Sequence, residues 1–202
     1  DYERESGKMK APKCAPKNGK KVCTVGSGPS ALAFAADMIK LGYDVTVFEA
    51  LHEIGGVLKY GIPEFRLPNS VVDAEINTLR EMGVDFQPNT IVGKTISYEQ
   101  LHEMGFDGIF VGSGAGLPRF MNIPGENLIG VMSSNEYLTR INLMGAGRGQ
   151  GFDTPVLKGK NVVVCGGGNT AMDSARTAKR MGAETVTLVY RRGLDELPAR
   201  AE

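Results

Sequence analysis

Residues 22–31 read Val-Cys-Thr-Val-Gly-Ser-Gly-Pro-Ser-Ala and give the clearest indication of the fold. Its first four residues form a short apolar run that predicts a buried strand, and the glycines after it predict a tight turn. Residues 31–41 repeat apolar side chains at helical spacing, and Gly42 is placed to cap that helix in a left-handed conformation. Residues 44–48 are mostly β-branched or aromatic and predict a second strand. The predicted unit is therefore strand, glycine turn, helix, strand.

The glycine turn of this unit fits the dinucleotide-binding fingerprint G-x-G-x-x-G/A. The first glycine allows the tight turn, the second lets the backbone approach a pyrophosphate, and the small third residue lets helix and strand pack closely. The helix N-terminus adds free N–H groups and a positive dipole end. Glu49 follows the second strand, where an acid binds ribose hydroxyls. We therefore favour a nucleotide site over a purely structural turn, with these phosphate-binding residues: Gly26, Gly28, Pro29, Ser30 and Ala31.

The same pattern returns near the other end of the sequence. A strand over residues 161–165 leads into the turn Gly166-Gly167-Gly168, a helix over 169–181 and a strand over 185–190. The turn again fits the fingerprint, with Ala171 as the small third residue. This internal repeat predicts an α/β protein with a Rossmann-like, three-layer FAD/NAD(P)-binding fold that contains two βαβ dinucleotide-binding units.

The two units differ in charge where their second strands end. The first has Glu49, whereas the second has Arg191 and Arg192 after Tyr190. A carboxylate repels a 2′-phosphate, but a guanidinium binds one bidentately, so the second site suits NADP. The alternative is that the two arginines are a solvated strand end. Two dinucleotide sites in one chain imply electron transfer between two cofactors, and FAD with NADPH is the natural pair.

The remaining elements follow less regular patterns. The stretch 49–69, rich in Gly and Pro, is expected to be irregular. Helices are predicted over residues 70–82 and 133–143, and strands over 84–86, 90–92 and 106–111. Ser70 is expected to cap the first of these helices, and Gly83 to end it. The glycine-rich stretch 145–154 is the predicted domain boundary, which gives a linker at 1–20, an FAD-binding domain at 21–150 and an NADPH-binding domain at 151–202.

A third glycine cluster, residues 112–116, follows the strand predicted over 106–111. It could contact the first nucleotide a second time, or it could be a plain turn. Spacing alone does not favour either alternative.

Composition narrows the function classes. The net charge is zero, so no overall field attracts nucleic acid or a membrane surface, and no apolar run is long enough to span a membrane. Three widely spaced cysteines form no disulfide framework, and Cys23 and Cys165 are expected to be buried in strands. His52 and His102 are expected at the surface, and no metal site is predicted. The charged start carries no signal peptide, so the predicted compartment is the cytoplasm.

Several longer motifs resemble one enzyme family. They are residues 26–31, Phe48-Glu49-Ala50, 55–63, Phe65-Arg66-Leu67-Pro68, 166–171, 189–192 and 197–200. Together they are similar to the small (beta) subunit of NADPH-dependent glutamate synthase, with the large subunit of ferredoxin:NADP transhydrogenase and the flavin part of dihydropyrimidine dehydrogenase as relatives. The resemblance covers almost the whole chain from Lys20.

The resemblance implies a role for each matching position. The first fingerprint would hold the FAD pyrophosphate and Glu49 the adenosine ribose, while the second would hold the NADPH phosphates. Towards the flavin end of FAD it implies Gly56, Leu58 and Arg66, and as a second FAD contact Gly112, Ser113 and Gly114. For NADPH it implies Gly166, Gly168, Asn169 and Thr170 on the phosphates, with Arg191 and Arg192 on the 2′-phosphate.

The implied reaction is hydride transfer between NADPH and FAD, with electrons passed on to an iron–sulfur subunit or domain. The flavin carries that chemistry, so no catalytic acid–base pair is expected. Family members have an iron–sulfur domain before the position of Asp1 and continue past that of Glu202, so the chain is expected to be a fragment. Two other hypotheses remain open: a truncated nucleotide-binding module without turnover, and a scaffold whose glycine turns bind nothing.

Overall fold

The computed structural model describes residues 6, 10–147 and 151–200. The chain divides into two compact units. The first consists of Asp1–Leu58 and Asn69–Ala115, and the second of Lys59–Pro68 and Gly116–Glu202. The units thus separate after Ala115, not within the predicted boundary at 145–154, part of which lies outside the described residues. The division into cofactor domains at 21–150 and 151–202 remains a prediction, because the packing of the chain does not test what each part binds.

A parallel sheet of four strands forms the centre of the first unit, in the order β3-β2-β1-β4. The strands are β1 Lys21–Val25, β2 Asp44–Phe48, β3 Asp85–Gln87 and β4 Gly108–Val111. Val25 at the end of β1 pairs with Phe48 of β2 on one side and with Val111 of β4 on the other. The glycine turn after β1, Glu49 after β2 and the glycine cluster after β4 therefore emerge at one edge of the sheet. This is the edge at which ligands bind in α/β folds of this kind.

Four helices accompany this sheet in the sequence: α1 Pro29–Lys40, α2 Val57–Tyr60, α3 Asn69–Glu81 and α4 Tyr98–Glu103. Helix α1 buries Ala35 and Ile39 in the same core as Val45 and Val47 of β2, as its apolar spacing predicts. Gly42 ends α1 with a φ of +85°, which confirms the predicted left-handed cap. The short α2 contains the point at which the chain passes from the first unit to the second.

The second unit repeats the first at smaller scale. Its parallel strands are β5 Asn161–Cys165 and β6 Thr185–Val189, and its helices are α5 Ser134–Asn142 and α6 Asn169–Arg180. The order β5, glycine turn, α6, β6 matches β1, glycine turn, α1, β2, which confirms the predicted repeat. A short 3₁₀ turn at Leu194–Glu196 follows β6.

Some predictions about local structure are wrong. No strand forms over 90–92, because the loop bonds to itself: the Thr95 N–H donates to the Ile91 carbonyl (2.7 Å) and the Ile91 N–H to Thr95 Oγ1 (2.9 Å). Helix α3 begins at Asn69, so Ser70 lies inside it and does not cap it. The region 49–69 is not wholly irregular, because it contains α2.

The two strand cysteines also differ from each other. Cys23 is fully buried in β1, as expected, whereas Cys165 is exposed. The reason is that β1 has a strand on each side, while β5 pairs only with β6 among the described residues. None of the helices in the described part of the chain has the length and apolar character needed to cross a bilayer.

Candidate nucleotide-binding sites

The first fingerprint contains two glycines that are required for different reasons. Gly26 has a φ of +101°, and a Cβ built on it would lie 2.5 Å from the Gly112 carbonyl oxygen, so the protein's own packing requires glycine there. Gly28 has an ordinary φ of −68° and is the N-cap of α1, with no side-chain cap. A Cβ built on Gly28 meets no atom within 4 Å. Because Ser or Asp would cap a helix better, the protein itself gives no reason for glycine at this position. The open space above it fits the close approach of an external pyrophosphate.

The third glycine cluster lies against this turn. The Gly112 N–H donates to the Val25 carbonyl at 2.9 Å. A Cβ built on Gly112 would lie 3.3 Å from both the Ala31 Cβ and the Ser30 Oγ. The third glycine cluster therefore begins in direct contact with the fingerprint turn.

Glu49 is held at the same edge of the sheet by donors from the protein. It is only 6% exposed. The Ser27 N–H donates to its Oε2 at 2.9 Å, the Ser27 hydroxyl donates to the same oxygen, and the Leu51 N–H donates to Oε1 at 2.9 Å. The predicted ribose acid is thus placed beside the fingerprint turn with a fixed orientation. Sequence reasoning missed Ser27, because it occupies a variable position of the motif.

The Gly55-Gly56 turn also packs onto the fingerprint. Gly56 has a φ of +54°, and a Cβ built on it would lie 2.8 Å from the Gly28 Cα. The N–H of Leu58, which is half-buried, donates to the Gly55 carbonyl at 3.1 Å. Of the residues implied by the resemblance for the flavin end, Gly56 is therefore beside the fingerprint, whereas Arg66 belongs to the second unit.

The second fingerprint has the same open cap. Gly168 has a φ of −88° and is the N-cap of α6 without a side-chain cap. A Cβ built on it meets nothing within 4 Å. Gly166, in contrast, has a φ of +139°, and its Cβ would lie 3.3 Å from the Ala171 Cβ. In both turns the first glycine has a positive φ and the second leaves open space, although only Gly26 would clash with a backbone carbonyl if it carried a Cβ.

A segment after β6 folds back over this second turn. A Cβ built on Gly167 would lie 2.7 Å from the Tyr190 ring and 2.8 Å from Leu197. The Ala199 N–H donates to the Gly167 carbonyl at 3.1 Å, and the Arg200 N–H donates to Asn169 Oδ1 at 3.0 Å. The side-chain oxygen of Asn169 therefore already accepts a hydrogen bond, and the side-chain NH₂ group is the part of Asn169 that can donate to a phosphate.

Arg191 and Arg192 follow β6 and are exposed. Within the part of the chain that the structure describes, neither guanidinium has a hydrogen-bond or ion-pair partner. Glu49, at the corresponding end of β2, is buried and bonded. The two strand ends thus differ in burial as well as in charge, and only the second presents free cationic donors.

A buried ion pair joins residues 59–68 to α6 inside the second unit. Arg66 donates to Asp173 Oδ2 at 2.6 Å, and the Asp173 side chain is 5% exposed. Phe65 lies beside it, with the guanidinium of Arg180 3.7 Å and that of Arg176 4.7 Å from the ring centroid. Asp173 Oδ1 has no hydrogen-bond partner among the described residues. Sequence reasoning missed Asp173, although an acid on the inward face of a helix is a usable signal for a buried partner.

The fold and the two turns define an FAD/NAD(P)-binding oxidoreductase module of the α/β class. More particularly, the chain belongs to the pyridine nucleotide-disulphide oxidoreductase family, which matches residues 20–194. It is 40% identical over 186 residues to the NADP(+)-dependent formate dehydrogenase subunit beta of Moorella thermoacetica, and this match covers 91% of the chain and 25% of that protein. It is 40% identical over 184 residues to the glutamate synthase [NADPH] small chain of Halomonas elongata, covering 89% of the chain and 38% of that protein.

Solved structures give the same class. Mycobacterium tuberculosis FprA in complex with NADPH superposes with a TM-score of 0.73 at 27% identity, over 92% of this chain and 45% of that one. The chain therefore spans less than half the length of each of these relatives. The predicted resemblance to the glutamate synthase small-subunit family and the predicted fold class are both confirmed.

Proposed function

We propose that this chain is the FAD- and NADPH-binding part of an enzyme that moves hydride between NADPH and FAD and passes electrons to an iron–sulfur subunit or domain. One observation carries the proposal. Two glycine turns of similar geometry each leave open space at the N-cap of the following helix, and the residues after the second strand of each unit carry opposite charges. The Gly28 turn is beside the buried Glu49, whereas the Gly168 turn belongs to the unit with the free Arg191 and Arg192.

The first unit is proposed to hold FAD. The N-terminus of α1 offers N–H groups to the pyrophosphate, and Glu49 accepts from the adenosine ribose. The flavin, when bound, supplies the hydride chemistry; the protein binds and orients it. The FAD residues are proposed to be Gly26, Gly28, Pro29, Ser30, Ala31, Glu49, Gly56, Leu58, Gly112, Ser113 and Gly114.

Arg66 is also proposed to reach FAD, as the resemblance implies. Its guanidinium donates to Asp173 and its side chain is 31% exposed. Because a guanidinium carries five N–H donors, the ion pair leaves donors for a second partner.

The second unit is proposed to hold NADPH. Gly166, Gly168, Asn169 and Thr170 surround the phosphates at the N-terminus of α6, and Arg191 with Arg192 binds the 2′-phosphate. A relative of this fold has been solved with NADPH, which supports the choice of nucleotide.

The electron acceptor is proposed to lie outside this chain. The relatives named above are a beta subunit and a small chain of larger oxidoreductases, and this chain covers only 25% and 38% of them. The first of these relatives is named as part of a formate dehydrogenase, and the second as part of a glutamate synthase. For the present protein, we propose an iron–sulfur partner that takes electrons from the flavin.

The proposal is tested on the complete natural protein, purified and kept free of oxygen. Its visible spectrum is expected to show bound FAD, and NADPH is expected to bleach the flavin bands. A protein that binds both cofactors without bleaching would be a nucleotide-binding module, and one that binds neither would rule out both hypotheses.

A further inference from the structure

A single buried hydroxyl joins three separate pieces of the first unit. Ser27 is 0% exposed. Its hydroxyl donates to Glu49 Oε2 at the end of β2 and accepts from the Gly55 N–H at 2.9 Å. Ser27 itself lies between the two fingerprint glycines. The fingerprint turn, the ribose acid and the Gly55-Gly56 turn are therefore all bonded through this side chain.

The same bonds limit what Glu49 can accept from a ligand. A carboxylate has about four acceptor positions, two on each oxygen. Oε2 receives both the N–H and the hydroxyl of Ser27, so its two positions are filled. Oε1 receives the Leu51 N–H, which leaves one position on that oxygen. Glu49 can therefore take one further hydrogen bond without breaking a bond inside the protein.

We infer that Ser27 is a positioning residue for the adenosine ribose of FAD, and that it restricts Glu49 to one ribose hydroxyl, bound through Oε1. The inference rests on the FAD site proposed above. Ser27 acts through Glu49 and not by touching the cofactor. Its second bond, from Gly55, holds the turn in which Gly56 contacts the fingerprint at Gly28.

Replacing Ser27 by alanine would remove a donor from Glu49 and an acceptor from the Gly55 N–H. Neither loss is repaired by water from outside, because the site is buried. With the hydroxyl gone, the backbone N–H groups of Ser27 and Leu51 still hold Glu49, but each carboxylate oxygen then has one open acceptor position, so Oε1 is no longer the only oxygen that can accept from a ribose hydroxyl. The variant is therefore expected to lose the difference in affinity between FAD and analogues that lack one ribose hydroxyl, in addition to any general weakening of FAD binding.

The test compares FAD with two analogues that lack the 2′- or the 3′-hydroxyl of the adenosine ribose. Dissociation constants are measured by flavin fluorescence on the complete natural protein after removal and return of the cofactor. In the wild type, loss of one hydroxyl is expected to weaken binding about 10- to 100-fold, as for a hydrogen bond to a charged group, and loss of the other less than about threefold. In Ser27→Ala, both penalties are expected to fall below about threefold.

The matched control is Thr24→Val. Thr24 is also 0% exposed, and its hydroxyl donates to the Gly26 carbonyl at 2.9 Å, so the variant loses a buried hydroxyl close to the fingerprint without touching Glu49. It is expected to keep the ribose discrimination of the wild type, whatever its overall affinity. If Ser27→Ala does not fold, Ser27→Cys keeps an atom at the γ position, slightly larger than the hydroxyl and a much weaker donor, and is expected to give the same loss.

Two results would overturn the inference. One is that the Ser27 variants weaken FAD and both analogues by the same factor, which a merely structural serine would do. The other is a wild type in which both hydroxyls matter equally. A wild-type protein that binds no flavin at all would instead remove the proposed FAD site itself, so the two failures are distinguishable.

Discussion

The two glycine turns of this protein share their backbone and differ in what surrounds them. In each, the first glycine has a positive φ and the second is an open helix cap. Around the first turn, Ser27, Glu49 and Gly55 form a buried network of hydrogen bonds. Around the second, exposed arginines follow the strand, and the tail at 197–200 folds over the turn. We propose that the shared backbone binds a dinucleotide in each unit and that the residues after the second strand of each unit determine which dinucleotide binds.

The largest effect is expected at the second strand end. Arg191→Ala with Arg192→Ala removes the cations proposed for the 2′-phosphate, so affinity for NADPH should fall about 100-fold or more while affinity for NADH changes little. Binding is measured by titration calorimetry. Lys158→Ala, which removes an exposed cation elsewhere in the second unit, is the control. An equal loss of NADPH and NADH would show that the arginines do not read the 2′-phosphate.

The open caps offer the next comparison. Because a Cβ at Gly28 or Gly168 meets only open space, either alanine variant should fold and should lose no more than about 1 kcal/mol of stability, the ordinary cost of alanine at a helix N-cap. Gly28→Ala should lose FAD affinity, and Gly168→Ala NADPH affinity, each about 10-fold or more, because the methyl group occupies the space of the pyrophosphate.

Gly26→Ala is the contrasting variant for this pair. Its Cβ would clash with the Gly112 carbonyl, and its φ is positive, so unfolding experiments should show a loss of more than about 2 kcal/mol. If Gly28→Ala destabilised the fold as much as Gly26→Ala, the cap glycines would be structural and the proposed reason for them would be wrong.

A smaller effect separates the ion pairs of the two units. Arg66→Met leaves the Asp173 carboxylate buried without its cation and should destabilise the second unit by about 2–4 kcal/mol. Lys17→Met breaks the exposed pair with Asp44 in the first unit and should cost about 0–1 kcal/mol. Urea unfolding of both variants measures the difference, and equal costs would mean that burial of Asp173 contributes little.

The smallest effect concerns the cysteines of the two sheets. Burial raises the pKa of the Cys23 thiol to about 11, so at neutral pH almost none of it is thiolate. Cys165, in the corresponding strand of the second unit, is exposed. A thiol reagent followed by peptide mapping should therefore label Cys165 and leave Cys23 unmodified until the protein unfolds. Labelling of both at the same rate would contradict the described burial.

The sequence predicted the parts of the structure that depend on neighbouring residues. The strand at 44–48 and the helix-ending glycines at 42 and 83 are found as expected, because apolar period and positive φ are local properties. Both fingerprints were found for the same reason. The charge difference between Glu49 and the two arginines was also readable, because the repeat aligns the two strand ends.

What the sequence could not predict depends on contacts between distant residues. The pairing of Arg66 with Asp173 joins positions from separate segments, and no periodic pattern connects them. The role of Ser27 depends on Glu49 and Gly55 arriving at one place. The strand predicted at 90–92 failed because bonds across a short loop replaced those of a sheet, a competition that β-propensity does not register.

We propose that one charge difference between the two strand ends assigns one cofactor to each turn. The most direct test measures FAD and NADPH binding to two variants of the complete natural protein, Glu49→Gln and Arg191→Ala/Arg192→Ala. We expect Glu49→Gln to weaken FAD binding and leave NADPH binding unchanged, and the arginine variant to weaken NADPH binding and leave FAD binding unchanged. If either variant weakened both cofactors equally, or if each affected the other's cofactor, the assignment would be contradicted.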